Sequence, residues 1–286
     1  MKKTAKAAAL IAAMALAAGL TACQKKAYAE GGNDQKAAAG KSGKQENDSK
    51  ARAQDATPYL IIDGTTVLGY KEGLPANILI PEGMTEIGKS AFEGCDSLVS
   101  VVIPEGVTSI GERAFGSCDK LASVVIPASM TKIGDRAFVM CYELKNVTIP
   151  DGVTEIRIAA FWCCKSLTEV TIPGSVEIIQ GRAFERCESL KSVTIADGVT
   201  CFWGSSFKDC IALTSVTIPA SVTLIGPDAL SGCESLKEIN YAGTKAQWEE
   251  IETVDSYHDR TKNKNYIGFS GIVHCTDGDV TVGGEE

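Results

Sequence analysis

The chain of 286 residues carries eleven cysteines, and seven of them keep strict time. Cys95, Cys118, Cys141, Cys164, Cys187, Cys210 and Cys233 follow one another at intervals of 23 residues. Thiols in such a series could form disulfides, bind a metal, act as nucleophiles or simply fill space. Seven cannot all pair, and parallel side chains pointing into a shared core do not offer the Cβ geometry of a bridge. Zinc ligands come in pairs two to four residues apart, which this interval does not provide. Free cysteine is among the most buried residue types and packs as a small hydrophobe. The spacing therefore predicts an internal packing column. Cys163 beside Cys164 could form only a strained vicinal disulfide, and Cys163 and Cys201 read as tolerated substitutions; Cys275 is expected to be buried near the end of the chain.

Other chemistry is thinly supplied. The two histidines, His258 and His274, both lie toward the end of the chain. His258 sits in a polar stretch with Asp259 close by, but no G-x-S-x-G elbow supplies a nucleophile for a triad. His274, within "GIVHCTDG", reads as a satisfied structural residue, and Asp277-Gly278-Asp279 as a turn lacking the other ligands of a calcium loop. No phosphate loop or H-E-x-x-H is present. The expectation is a protein without catalysis, metal or cofactor.

The elements around the cysteines repeat with them. From Ile80 to Asn240 the chain is seven copies of I-P-x-G/S-V-T-x-I-G-x-x-A-F-x-x-C-x-x-L-x-x-V-T. A fixed period in the twenties is the mark of a solenoid in which one repeat makes one coil. "SVVIP" and "SVTIP" alternate polar and β-branched residues and predict short strands. Proline ends each strand, and "VTxI" forms a second, shorter extended piece. "AFxxC" suits a single helical or 3₁₀ turn. No coil buries its apolar side alone, so stacked coils must share one core.

The unit resembles the BspA-type leucine-rich repeat of bacterial cell-surface proteins, and "YAGTKAQWEEI" and "VHCTDGDV" resemble that family's end segment. The fold class expected is a β-rich leucine-rich-repeat solenoid, capped at both ends, with one short strand column and a short helical or 3₁₀ turn per coil. The resemblance implies a concave strand face that binds ligands, with adhesion and host interaction as roles.

Strand alternation sends Val101 and Ile103 inward and their neighbours outward. The outward positions are Ser100, Ser123, Asn146, Glu169, Ser192 and Ser215 in one column, and Val102, Val125, Thr148, Thr171, Thr194 and Thr217 in the other. A second candidate is an irregular edge where Met140, Tyr142, Trp162 and Trp203 depart from the consensus, since aromatic residues are enriched at binding hot spots. Arg113, Arg136 and Arg182 read as a solvated column beside Glu112 and Asp135.

The beginning of the chain speaks to location. Residues 1–22 have three lysines, no acid and an apolar run from Ala7 to Leu20 too short to span a bilayer, as in a signal peptide. "LTAC" resembles a lipobox, which implies a lipid on Cys23. Residues 23–57 lack Leu, Ile, Val and Phe and are expected to form a disordered tether. Residues 58–79, with "LIIDGTTVLGY", read as a hairpin cap, 80–240 as the repeats and 241–286 as the C-terminal cap and tail. From Pro58 onward 18 basic residues face 31 acidic ones, a net of −13 that disfavours nucleic acid and anionic membrane surfaces. The combined expectation is an envelope lipoprotein that binds a protein or other surface macromolecule, touching the membrane through its lipid. A purely structural envelope component is the alternative.

Overall fold

The computed structural model describes residues 57–254 and 260–283. Leu60–Asp63 and Thr66–Tyr70 pair as an antiparallel hairpin, with Gly64 in the left-handed conformation at its turn (φ 58°). The second hairpin strand is the first rung of a parallel ladder of two-residue strands. Glu86–Ile87, Ser109–Ile110, Lys132–Ile133, Glu155–Ile156, Ile178–Ile179, Cys201–Phe202 and Leu224–Ile225 follow in order, completing a nine-stranded sheet. These are the V-T-x-I pieces. A short strand can persist here because each is hydrogen-bonded to the coils before and after it.

A second, broader parallel ladder is built from the S-V-T-I segments. Asn77–Leu79, Ser100–Val102 and Ser123–Val125 form three strands. Single bridges at Asn146 connect them to Glu169–Ile172, Ser192–Ile195, Ser215–Ile218 and Glu238–Tyr241. Register is kept throughout: Glu169 lies opposite Ser192, and Ser192 opposite Ser215. The chain is a solenoid, and the second, shorter extended piece of each coil forms a strand column of its own beside the broad one.

The A-F-x-x-C segment differs from its expectation. It is neither α nor 3₁₀ helix but a pair of linked turns, with two left-handed residues four apart in every coil. Arg113 and Ser117 (φ 54° and 56°), Arg136 and Met140 (55° and 59°), and Arg182 and Arg186 (62° and 61°) occupy the same two positions. The reason is where the amides must go. The N–H groups of Arg113, Phe115 and Ser117 donate to the carbonyls of Asp135, Ala137 and Val139 in the next coil, while those of Ala114, Gly116 and Cys118 close local turns. A helix would turn every amide inward along its own axis and leave the next coil without partners. The turns thus form a third hydrogen-bonded column.

Between the three columns lies one core. Phe92, Phe115, Phe138, Phe161, Phe184 and Phe207 stack face to face, with centroids 5.1–5.4 Å apart and planes within 5°. Tyr70 begins the stack at 6.0 Å. Each leucine that follows a cysteine is buried, as are the inward valines Val101, Val124, Val147, Val170, Val193 and Val216.

At the C-terminal end the chain supplies a partner for each column. Ile225 donates to Glu252, Leu230 to Ile267, and the strand Gly271–Cys275 pairs in parallel with Glu238–Tyr241. Gly278–Val282 then turns back antiparallel. The helix Lys245–Glu250 starts on a capping box between Thr244 and Gln247 and buries Trp248 against Tyr241 at 5.4 Å. Polar edges that would otherwise stay open are thereby paired.

Candidate functional site

All ten described cysteines are free, and among the described residues no group of three His, Cys, Asp or Glu side chains could hold a metal ion. The seven-cysteine column is buried throughout. Its thiols do more than fill space. Cys118 Sγ donates to the carbonyl of Phe92 at 3.0 Å, Cys164 to Phe138 at 3.2 Å and Cys233 to Phe207 at 3.1 Å, always one coil back. Burial pushes the Cys118 thiol up to about 12 and holds those of Cys141, Cys164, Cys187 and Cys210 well above their ordinary range. Thiolate chemistry is closed to these five thiols. Cys163 is also buried, at a left-handed position (φ 60°). Cys201 is half-buried, with its thiol pushed up to about 11 by desolvation, and Cys275 is half-buried where full burial was expected.

The outward residues of the broad ladder form a continuous face. Asn146, Thr148, Glu169, Thr171 and Thr194 are exposed. Ser100, Val102, Ser123, Val125, Ser192, Ser215 and Thr217 are half-buried. Parallel register places Ser100 beside Ser123, and Thr194 between Thr171 and Thr217. The face carries hydroxyls and small apolar groups, and Ser100 Oγ donates to Asn77 Oδ1 at 2.7 Å.

The same face runs further than the repeats. Because Gly271–Cys275 adds to the ladder, Asn240 lies opposite His274, and His274 opposite Asp279. His274 Nδ1 is 2.9 Å from Asp279 Oδ1, and Nε2 is 3.4 Å from Glu238 Oε2. The bond to Asp279, helped by Glu238, raises the imidazole above its ordinary value. His274 is therefore partnered, yet it belongs to the ladder face and not to an enclosed cap. The available signal was alternation: Val273 is buried, so its neighbours on either side must turn outward. His258 lies outside the described residues, as does Cys23.

The irregular edge separates into two places. Met140, Tyr142 and Trp162 share the column of linked turns; the Met140 amide donates to the Trp162 carbonyl at 2.8 Å, and Lys165 Nζ sits 5.9 Å from the Tyr142 ring centroid. Trp162 Nε1 and Glu185 Oε2, at the same position of successive coils, are both buried without a hydrogen-bond partner. Trp203 belongs elsewhere, just after the narrow ladder, where it is 37% exposed in the column of Gly111, Gly134 and Arg157. Arg157 there is held by Asp135 and Glu155, each at 3.0 Å. Of the arginines read as a solvated column, Arg113 pairs with Glu93 at 2.7 Å and Arg136 is exposed.

This geometry meets its counterpart in known proteins. The family described as "BspA type Leucine rich repeat region" matches residues 71–185 and 154–254 in six copies. The chain belongs to the BspA-type leucine-rich-repeat family. Its fold is similar to the leucine-rich repeat protein of T. pallidum, at 30% identity and a TM-score of 0.55, covering 60% of this chain and 82% of that one. A leucine-rich repeat protein from Bacteroides ovatus is 25% identical, with a TM-score of 0.31 over 64% of this chain and 69% of that one. No curated protein matches the chain. BspA-type repeats are scaffolds for protein binding, so the ladder face is the part of this fold to weigh as a site.

Proposed function

We propose that this protein is a lipid-anchored component of a bacterial envelope whose broad ladder binds another macromolecule, in adhesion or host contact. The observation that carries this reading is the face itself. Twelve outward side chains stand in two columns, on strands hydrogen-bonded coil to coil on either side of single bridges at Asn146, so the surface is largely ordered before any ligand arrives. Pre-ordering reduces the entropy lost on association. Hydroxyls at Ser100, Ser192, Thr171 and Thr194 supply donors and acceptors without the desolvation cost of charge. The family membership and the lipobox-like "LTAC" at Cys23 support display on the envelope.

Two experiments test the proposal. Full-length protein is presented to extracellular-matrix and partner-cell proteins, with retention measured for wild type and Thr171→Arg. Saturable retention that the arginine abolishes supports the face; equal retention by the variant removes the face from the reading. For the anchor, Cys23→Ala is expected to release the protein from the membrane fraction and to stop incorporation of labelled fatty acid. Unchanged labelling of that variant would rule out Cys23 as the lipid site.

A further inference from the structure

The flank of the broad ladder breaks the acidic character of the domain. The residue just before each strand is Lys145, Thr168, Lys191, Thr214 and Lys237 in five successive coils, and all five are exposed. Their backbones are locked together: the amide of Thr168 donates to the Lys145 carbonyl at 3.2 Å, that of Lys191 to Thr168 at 2.9 Å, and that of Thr214 to Lys191 at 2.9 Å. Coils rise by about 4.8 Å, so successive lysines stand about 10 Å apart along a straight line. The lysines that form ion pairs are elsewhere: Lys89, Lys165, Lys208 and Lys262. Lys237 uses one proton on the Glu234 carbonyl at 2.9 Å, and Lys145 and Lys191 make no ion pair among the described residues.

We infer that this Lys-Thr-Lys-Thr-Lys row is a docking track for a linear acidic polysaccharide carrying one carboxylate on every second sugar. The inference rests on the reading of the broad ladder as the ligand-bearing face and names a ligand class for it. An extended pyranose chain advances by roughly one coil per sugar when laid along the solenoid. Carboxylates on alternate sugars then meet Lys145, Lys191 and Lys237 in turn. The sugars between them lie over Thr168 and Thr214, whose hydroxyls suit neutral rings; Thr214 Oγ1 already donates to the Lys191 carbonyl at 3.1 Å and keeps its lone pairs free to accept. The adjoining Ser192, Ser215 and Asn146 extend the polar surface sideways.

The net charge of −13 does not forbid this. At physiological ionic strength, charges more than about 8–10 Å away are screened, so the groups lining the track decide. The carboxylates nearest the track along the chain are Glu143, Glu169, Glu188, Glu234 and Glu238, and Glu188 is paired with Lys165. Glu238 faces His274. Glu169 flanks the track at the coil of Thr168, where an alternating polymer presents an uncharged sugar. A polymer charged at every sugar would place a carboxylate against it. The two-coil interval of the lysines, together with Glu169 at the coil between two of them, favours the alternating chain over a uniformly charged one.

The test uses the full chain and a hyaluronan hexasaccharide, with polygalacturonate, neutral dextran, duplex DNA and anionic vesicles as comparisons. Hexasaccharide binding is expected to weaken with added salt and to exceed that of all four comparisons. Substituting Lys145, Lys191 and Lys237 together by Gln should weaken it by about tenfold, at an unchanged melting temperature. Replacing all three by Arg should preserve it, and Lys132→Gln, off the track, should leave it alone. The decisive variant combines Thr168→Lys with Lys191→Thr, which keeps the charge and breaks the two-coil interval; it should bind several-fold more weakly. No binding of the hexasaccharide, equal binding by the Gln variant, or a preference for DNA or vesicles would overturn the inference. Protein retention sensitive to Thr171→Arg, in a chain that ignores the hexasaccharide, would remove this ligand class and leave the face reading intact.

Discussion

The thiol of Cys164 donates to the carbonyl oxygen of Phe138, 26 residues earlier, at 3.2 Å. The same oxygen accepts the amide of Cys141 within its own coil at 3.3 Å. One carbonyl therefore closes a local turn and receives the coil that follows. A thiol suits this position because it is small, apolar and a weak donor, so it can be buried with little desolvation cost. Cys164→Ala removes both the sulfur's contacts and its bond and should lower stability by about 1–2 kcal/mol in urea unfolding. Native protein should show no alkylation of the column by a water-soluble reagent, and full alkylation in denaturant. Rapid native labelling of those seven thiols would mean that the coils do not share a dry interior.

Ser206 makes the opposite case. It occupies the position held by Ala114, Ala137, Ala160 and Ala183 in other coils, is fully buried, and its hydroxyl has no hydrogen-bond partner. A buried orphan hydroxyl costs about 1–3 kcal/mol. Ser206→Ala should therefore stabilise the protein by about 1 kcal/mol, seen as a higher urea midpoint with an unchanged slope. A destabilised variant would show that the hydroxyl is satisfied in solution.

Much of this was legible because a solenoid writes its contacts into a period. Val101, Leu121 and Cys164 could be placed in the core from spacing alone. Parallel register also keeps Thr171 and Thr194 side by side, as alternation requires. The linked turns were not legible, because their left-handed positions hold Arg113, Ser117, Arg136 and Met140 as readily as Gly94. Side-chain type does not report the backbone there; the demand comes from amides bonding to the neighbouring coil. The face residues beyond the repeats were hidden for a related reason. His274 joins the ladder through a strand that follows an insertion, where the 23-residue ruler no longer applies. Trp203 shares with Met140 only its departure from consensus; its column faces a different part of the coil.

Close packing of backbones favours glycine at some positions and left-handed geometry favours it at others. A Cβ on Gly134 would lie 2.7 Å from the carbonyl carbon of Gly111 and 2.8 Å from the amide nitrogen of Glu112. Admitting it means easing two glycine-bearing coils apart, an adjustment the same column makes where Arg157 and Trp203 stand. Gly134→Ala should cost on the order of 2–4 kcal/mol. Arg136 is different: exposed, unpaired among the described residues, and left-handed at φ 55°. Arg136→Gly removes a steric penalty of about 1–2 kcal/mol while adding unfolded-state entropy, for a net gain of about 0.5–1 kcal/mol. Paired urea titrations of the two variants should move in opposite directions.

His274 gives the ladder face a pH dependence whose direction follows from its partners. Its ring lies between Asp279 and Glu238, both largely exposed, and the bond to Asp279 is the main reason its proton is held more tightly than usual. A raised folded-state value means that the folded protein binds the proton more strongly than the unfolded chain. The resulting stabilisation is fully present below the unfolded value of about 6.5 and is lost as pH rises through the folded value. Solvent and salt screen this exposed pair, so the effect on melting should be small and should shrink further at high ionic strength. The sharper measurement is NMR titration of the His274 ring. It should titrate above the ordinary histidine range in wild type, fall toward that range in Asp279→Asn, and fall by less in Glu238→Gln. The order of the two shifts follows from the 2.9 Å and 3.4 Å separations. A larger drop in Glu238→Gln would show that the ring is oriented by the ladder neighbour and not by the hairpin that closes it.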